Sequence, residues 1–210
     1  MSGPAVDVDE RRAARRASRR EANRDQILDA AEKVFGRDGP QGGSLRNIAA
    51  ESGFSTAAIY LFFDNKDDLL ASTLLRRGTE LIAVLTAETT AGQPPLATLH
   101  AIVDATIAFF GRHPDFRHLL AHLRGGPTIA GSVLAEFDQT TGGPFDDAME
   151  LIASTISAGQ DAGEVRDGDA RALAHLFSVL TNEHVLLDAS QQTALTPHQF
   201  HALIDGAFRH

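Results

Sequence analysis

The chain has no cysteine and no tryptophan, and it carries one tyrosine and two methionines in 210 residues. Without cysteine there is no disulfide framework, no thiolate nucleophile and no thiolate metal site. That fits a reducing cytoplasm, the compartment expected here. No run of about 18 apolar residues occurs, so no membrane-spanning helix is expected. The arginines near the N-terminus are not followed by an apolar segment, as a secretory signal would require. Catalytic patterns are missing as well: no serine stands in G-x-S-x-G and no glycine-rich loop of the phosphate-cradling kind appears. His118 and His122 lie four apart, with Asp115 three before His118, a spacing that suits a metal on one helix face. No H-E-x-x-H and no third spaced ligand accompany them, so a surface or pocket histidine pair is the stronger reading. Neither a metal, a cofactor nor an enzymatic site is expected.

What the chain does have is apolar content, 43% of residues, enough for real cores. No period-two alternation and no internal repeat are found, and the apolar positions recur at helical spacing. The expected class is all-α. Net charge is −9, yet it is unevenly spread. Residues 11–66 hold 11 Lys+Arg against 7 Asp+Glu, a balance of +4, whereas residues 67–210 balance at −10. A basic end on an acidic body gives a local field that attracts phosphates. Within it, residues 11–24 read RRAARRASRREANR, with seven arginines. This arm either extends the first helix backwards or stays flexible. It either meets phosphates or a minor groove, or is a solvated charged tail.

The most informative stretch is 44–63, SLRNIAAESGFSTAAIYLFF. Ser44 is an N-cap candidate, Ile48 and Ala49 face inward, Gly53 turns the chain, and Ser55 caps a second helix. Ile59, Phe62 and Phe63 form that helix's buried side, leaving Thr56, Ala57, Tyr60 and Leu61 outward. This is a helix-turn-helix pattern, although a helical hairpin inside an ordinary core has similar punctuation. The flanks agree in order and spacing: QILDAAEKVFGRDG at 26–39 precedes the unit, and FDNKDDLL at 63–70 follows it. Together, residues 23–79 resemble the DNA-binding domain of the tetracycline-repressor (TetR) family.

The resemblance implies a particular architecture: an N-terminal three-helix DNA-binding bundle with a helix-turn-helix, joined by a long helix to a C-terminal helical ligand-binding and dimerisation domain. The expected division is a basic arm at 1–20, a DNA-binding domain at 21–81 and a C-terminal domain at 82–210. Tyr60 matches the family's phosphate-contacting tyrosine. Arg19 and Arg20 of the arm, Ser44 and Arg46 at the second helix, Ser55, Thr56, Ala57 and Leu61 on the recognition unit, and Lys66 at the next helix start complete the expected DNA-binding set. This sequence departs from the family pattern at three places. Thr56 stands where lysine is common, Ala57 where glycine is common, and Leu61 where histidine or another aromatic or polar residue is common. The reading face is therefore unusually apolar and suited to thymine methyls.

Beyond this unit the periodicity predicts helices over 66–88, 96–112, 115–124, 129–139, 145–158, 169–189 and 197–210. They are separated by AGQPP at 91–95, His113-Pro114, the Gly-Gly-Pro runs at 125–127 and 142–144, and Gly163. Thr196 is expected to cap the last helix. The final two helices carry more apolar face than one core needs. Leu176, Val179, Leu180, Leu187, Phe200, Leu203 and Ile204 are the expected homodimer interface, by the resemblance and the frequency of two-fold assemblies. Covering the chain's own core is the alternative. Phe110, Phe116, His122 and Phe145 are the candidate lining of an effector pocket between helices. The leading function is a DNA-binding transcriptional regulator, a repressor released from a palindromic operator by a small-molecule effector. The competing class is a helical module whose partner is protein.

Overall fold

The computed structural model describes residues 8–124, 143–189 and 195–210. The expected helix over 129–139, the Gly-Gly-Pro break at 125–127 and most of the acidic N-terminal stretch lie outside these residues. The described residues form nine α-helices and no strand. A single antiparallel bridge pairs Val165 with Arg209. No helix among them is long and apolar enough to cross a membrane.

Helix α1 (Val8–Gly42) is continuous from the arginine-rich arm into the first bundle helix. Of the two forms open to the arm, the backward helical extension is the one seen. Ile27, Leu28, Ala31, Val34 and Phe35 are fully buried on one stripe, the spacing of an amphipathic helix. Gly39 leaves helical geometry at φ 72°, which kinks the helix just before Pro40. Helices α2 (Leu45–Ser52) and α3 (Thr56–Ile59) follow. Helix α4 (Lys66–Thr89) starts at Asn65, whose side chain caps Asp68 N–H at 2.9 Å. Asp67 and Asp68 in its first turn complement the positive end of the helix dipole.

Helices α5 (Pro95–Arg112) and α6 (Pro114–Arg124) break at His113-Pro114, as expected. Helices α7 (Pro144–Asp161), α8 (Ala170–Ala189) and α9 (Pro197–Phe208) complete the body. Thr196 and Gln199 form a reciprocal capping box at the start of α9. The chain end is tied down by Arg166 N–H to Phe208 O at 2.8 Å and His210 N–H to Glu164 O at 3.1 Å. Helix α9 is also fixed to α5 by a crossed arrangement. His100 Nε2 lies 2.9 Å from Asp205 Oδ1 and His201 Nε2 lies 2.9 Å from Asp104 Oδ1. The two imidazoles stack at 4.5 Å.

Two apolar cores result. One gathers α1, α2, α3 and the first half of α4, and it also takes Phe109, Phe110, Phe116, Leu119, Leu123 and Val185 from the body. The other lies among α4, α5, α7, α8 and α9. Leu81, at the end of the expected DNA-binding domain, packs against both. The head therefore does not end at a linker; it shares a core with the body. Gly36 shows how tight this joint is, since a Cβ there would collide with the backbone carbonyl of Asp115 on α6.

Candidate nucleic-acid interface

The reading unit is set by local hydrogen bonds. Ser44 Oγ accepts from Asn47 N–H at 3.2 Å and Ser55 Oγ accepts from Ala58 N–H at 3.1 Å. Both serines are caps, so one acceptor site of each hydroxyl is committed to the fold. Gly53 ends α2 in the left-handed region at φ 73°, which leaves room for the sharp turn. Gln26 Nε2 donates to Ser52 O at 2.9 Å and anchors that turn to α1. After Ile59 the chain tightens into i→i+3 bonds, Leu61 N–H to Ala58 O and Phe62 N–H to Ile59 O. Ile59 and Phe63 are buried and Phe62 is half-buried, as the pattern predicts. Ala57, Tyr60 and Leu61 are exposed, Tyr60 at 55% and Leu61 at 71%. Thr56 is half-buried, and Arg46 is exposed on α2.

The helical arm lies beside this surface. Arg20 Nη2 donates to Leu61 O at 3.4 Å and its guanidinium sits 5.7 Å from the Phe62 ring centre. Arg24 reaches Ser72 Oγ at 3.2 Å and covers the Phe63 ring at 5.0 Å. A shallow groove of about 460 Å³ between arm and reading unit is lined by Arg16, Arg19, Arg20, Asn23, Leu61 and Phe62.

Lys66, expected at phosphate, also makes contacts within the head. Its ammonium donates to Pro40 O at 3.0 Å and Gly43 O at 3.3 Å. These bonds tie the α1–α2 turn to the start of α4.

Sequence reading missed an ion cluster behind the reading unit. Glu32, 5% exposed, accepts from Arg77 Nε at 2.6 Å and from Arg76 Nη2 at 3.4 Å. Arg76 also reaches Asp29 at 2.8 Å, and Arg77 reaches Glu80 at 2.6 Å. Burial works against the Arg77 charge, but its hydrogen bonds to Glu32 and Glu80 outweigh this and hold it above its ordinary value. Burial, and then the charge of Arg77, push the His113 imidazole below its ordinary value. The available signals were a glutamate inside an apolar stripe and an Arg-Arg pair in mid-helix.

The model for bacterial regulatory proteins of the tetR family matches residues 27–73, the segment containing the helix-turn-helix just described. This chain carries a TetR-family helix-turn-helix domain. Among curated relatives it is similar to the nicotine-responsive transcriptional repressor HdnoR of Paenarthrobacter nicotinovorans. The two are 33% identical over 81 residues, 39% of this chain and 42% of HdnoR, so the match spans under half of that protein. It is 27% identical to the repressor NicS of Pseudomonas putida over 162 residues, 77% of this chain and 74% of NicS. Among solved structures, FadR of Bacillus subtilis in complex with stearoyl-CoA has a TM-score of 0.73 at 19% identity. That match covers 85% of this chain and 96% of FadR, a likeness of fold.

The expected dimer residues divide. Leu176, Val179 and Leu203 are exposed at 55%, 45% and 42%. Leu180 and Leu187 are half-buried. Phe200 and Ile204 are corrections: at 3% and 0% exposed they belong to the chain's own second core. The expected pocket residues are also placed differently. Phe110 and Phe116 are buried and stacked at 5.7 Å, with Phe109 edge-on to both, inside the joint between head and body. They pack against one another within that joint. His122 Nε2 hydrogen-bonds Gly36 O at 3.1 Å, so it too serves the α1–α6 contact. The side chain of Phe145 lies outside the described residues. No group of three or more potential metal-ligating His, Asp or Glu occurs among the described residues.

Proposed function

We propose that this chain represses transcription as a homodimer whose two heads read a palindromic operator, and that a small-molecule effector in the body releases it. The observation that carries this is the exposed face of Ala57, Tyr60 and Leu61 flanked by the arginine arm, on a head whose core is continuous with the body. Thr56, Ala57 and Leu61 face base edges. Tyr60, Arg46, Arg19 and Arg20 meet phosphates, and Ser44 and Ser55 hold the reading unit in shape at the duplex.

For the dimer, Ala172, Leu176 and Val179 on α8 share one exposed stripe. Ala202, Leu203 and Gly206 expose a second on α9. Small residues beside a leucine let a partner helix come close, and two-fold pairing sets the heads at the spacing of about one DNA turn. The effector reading is supported by the name of HdnoR as nicotine-responsive and by the FadR neighbour solved with stearoyl-CoA. An effector acts only through its preference for one head spacing over the other.

The test is selection of duplexes from a pool with a randomised centre, using the full chain. The proposal expects enrichment of one inverted repeat. Recovery of unenriched sequence would leave a helical module with a protein partner as the better reading.

A further inference from the structure

We infer that Leu61 is the main specificity-determining residue of the reading head, and that it recognises the 5-methyl group of a thymine in the major groove. This rests on the DNA-reading function proposed above and names the base chemistry that function selects.

From Phe54 to Phe63 the sequence is FSTAAIYLFF, with no Arg, Lys, Asn, Gln, Asp or Glu. Those are the side chains that make bidentate hydrogen bonds to guanine or adenine, or accept from cytosine. Of the three hydroxyls that remain, Ser55 Oγ caps Ala58 N–H, Thr56 is half-buried at the helix start, and the exposed Tyr60 is the one assigned above to phosphate. What the unit presents is apolar. Ala57 on α3 and Leu61 in the tightened turn that follows it are both exposed, Leu61 at 71%. An exposed leucine alone means little. This one is presented among cations. Arg20 donates to its backbone oxygen at 3.4 Å, and Arg16 and Arg19 line the same groove. A polyanion drawn to those arginines meets Leu61 as the apolar projection beside them. In the major groove, the one apolar feature that distinguishes the four base pairs is the thymine methyl.

Burying a methyl against leucine gives about a fourfold preference per half-site, and roughly fifteenfold when both half-sites contribute. The probe is an inverted-repeat duplex enriched by the full chain, with each thymine replaced in turn by deoxyuridine, which removes the methyl and keeps every hydrogen bond. Symmetric replacement at one position should weaken binding by about fifteenfold. Leu61→Ala should bind thymine and deoxyuridine duplexes there equally, with its helical circular dichroism unchanged. Equal affinity for every deoxyuridine duplex overturns the inference while leaving DNA reading intact. A deoxyuridine penalty that persists in Leu61→Ala overturns the assignment to this residue. Failure of the chain to enrich any duplex removes the DNA-reading function, and this inference falls with it.

Discussion

Gly78 on α4 packs directly beneath Pro144, the first residue of α7: a Cβ on Gly78 would lie 3.0 Å from the Pro144 Cβ and 3.2 Å from its Cγ. The glycine is explained by close approach of two helices, and the contact lies one residue from Arg77, which holds Glu32 of α1. Gly78 thus brings α7 close to the ion pair that ties α4 to α1. Gly78→Ala gains about 1 kcal/mol of helix propensity and loses a similar amount to crowding, so its urea midpoint should stay close to wild type. Gly78→Val should destabilise by about 1–3 kcal/mol, because the larger side chain cannot fit without moving Pro144.

Glu32 is the counter-ion of two part-buried arginines. Removing one partner leaves buried charge uncompensated, which costs far more than the pair contributes in net terms. Glu32→Ala should lose roughly 3 kcal/mol in urea unfolding. Asp29→Ala, whose side chain is 59% exposed, should lose well under 1 kcal/mol.

His113 gives a pH dependence of defined sign. Its folded-state value is lowered, mainly by burial, so between that value and about 6.5 the unfolded chain binds the proton better. Its contribution is absent above about pH 6.5 and becomes destabilising as pH falls through that window. His113→Gln should therefore flatten the decline of Tm between pH 7 and pH 5 relative to wild type. Parallel profiles would show that His113 carries none of the decline.

The arm makes a salt prediction. Deletion of residues 1–20 removes arginines 11, 12, 15, 16, 19 and 20. In a plot of log affinity against log salt, the slope should become shallower by about 0.9 for each phosphate those arginines neutralise. Equal slopes for the full and shortened chains would mark the arm as a solvated helix.

Much of this head was legible because its determinants are local. Ser44, Gly53, Ser55 and Asn65 act on backbone groups within a few residues, and each does in the structure what its chemistry and spacing suggest. The apolar stripes of α1 and α4 read equally well. What escaped depends on distant partners. Lys66 bonds carbonyls 23 and 26 residues earlier, and Glu32 meets Arg77 at a separation of 45, so no local pattern marks either pair. The expected dimer residues divide for an angular reason. Leu203 and Ile204 are neighbours on α9, yet one is exposed and the other is in the core. Periodicity shows that a helix has an apolar side broad enough for two partners, but not which edge faces its own chain.

The central claim is sequence-specific reading of duplex DNA by paired heads. It is tested most directly by titrating the full chain, at physiological salt, against an enriched inverted-repeat duplex and against a shuffled duplex of the same composition. Paired reading heads predict two chains per inverted repeat and an affinity at least about a thousandfold above that for the shuffled duplex. Equal affinity for the two duplexes would contradict it.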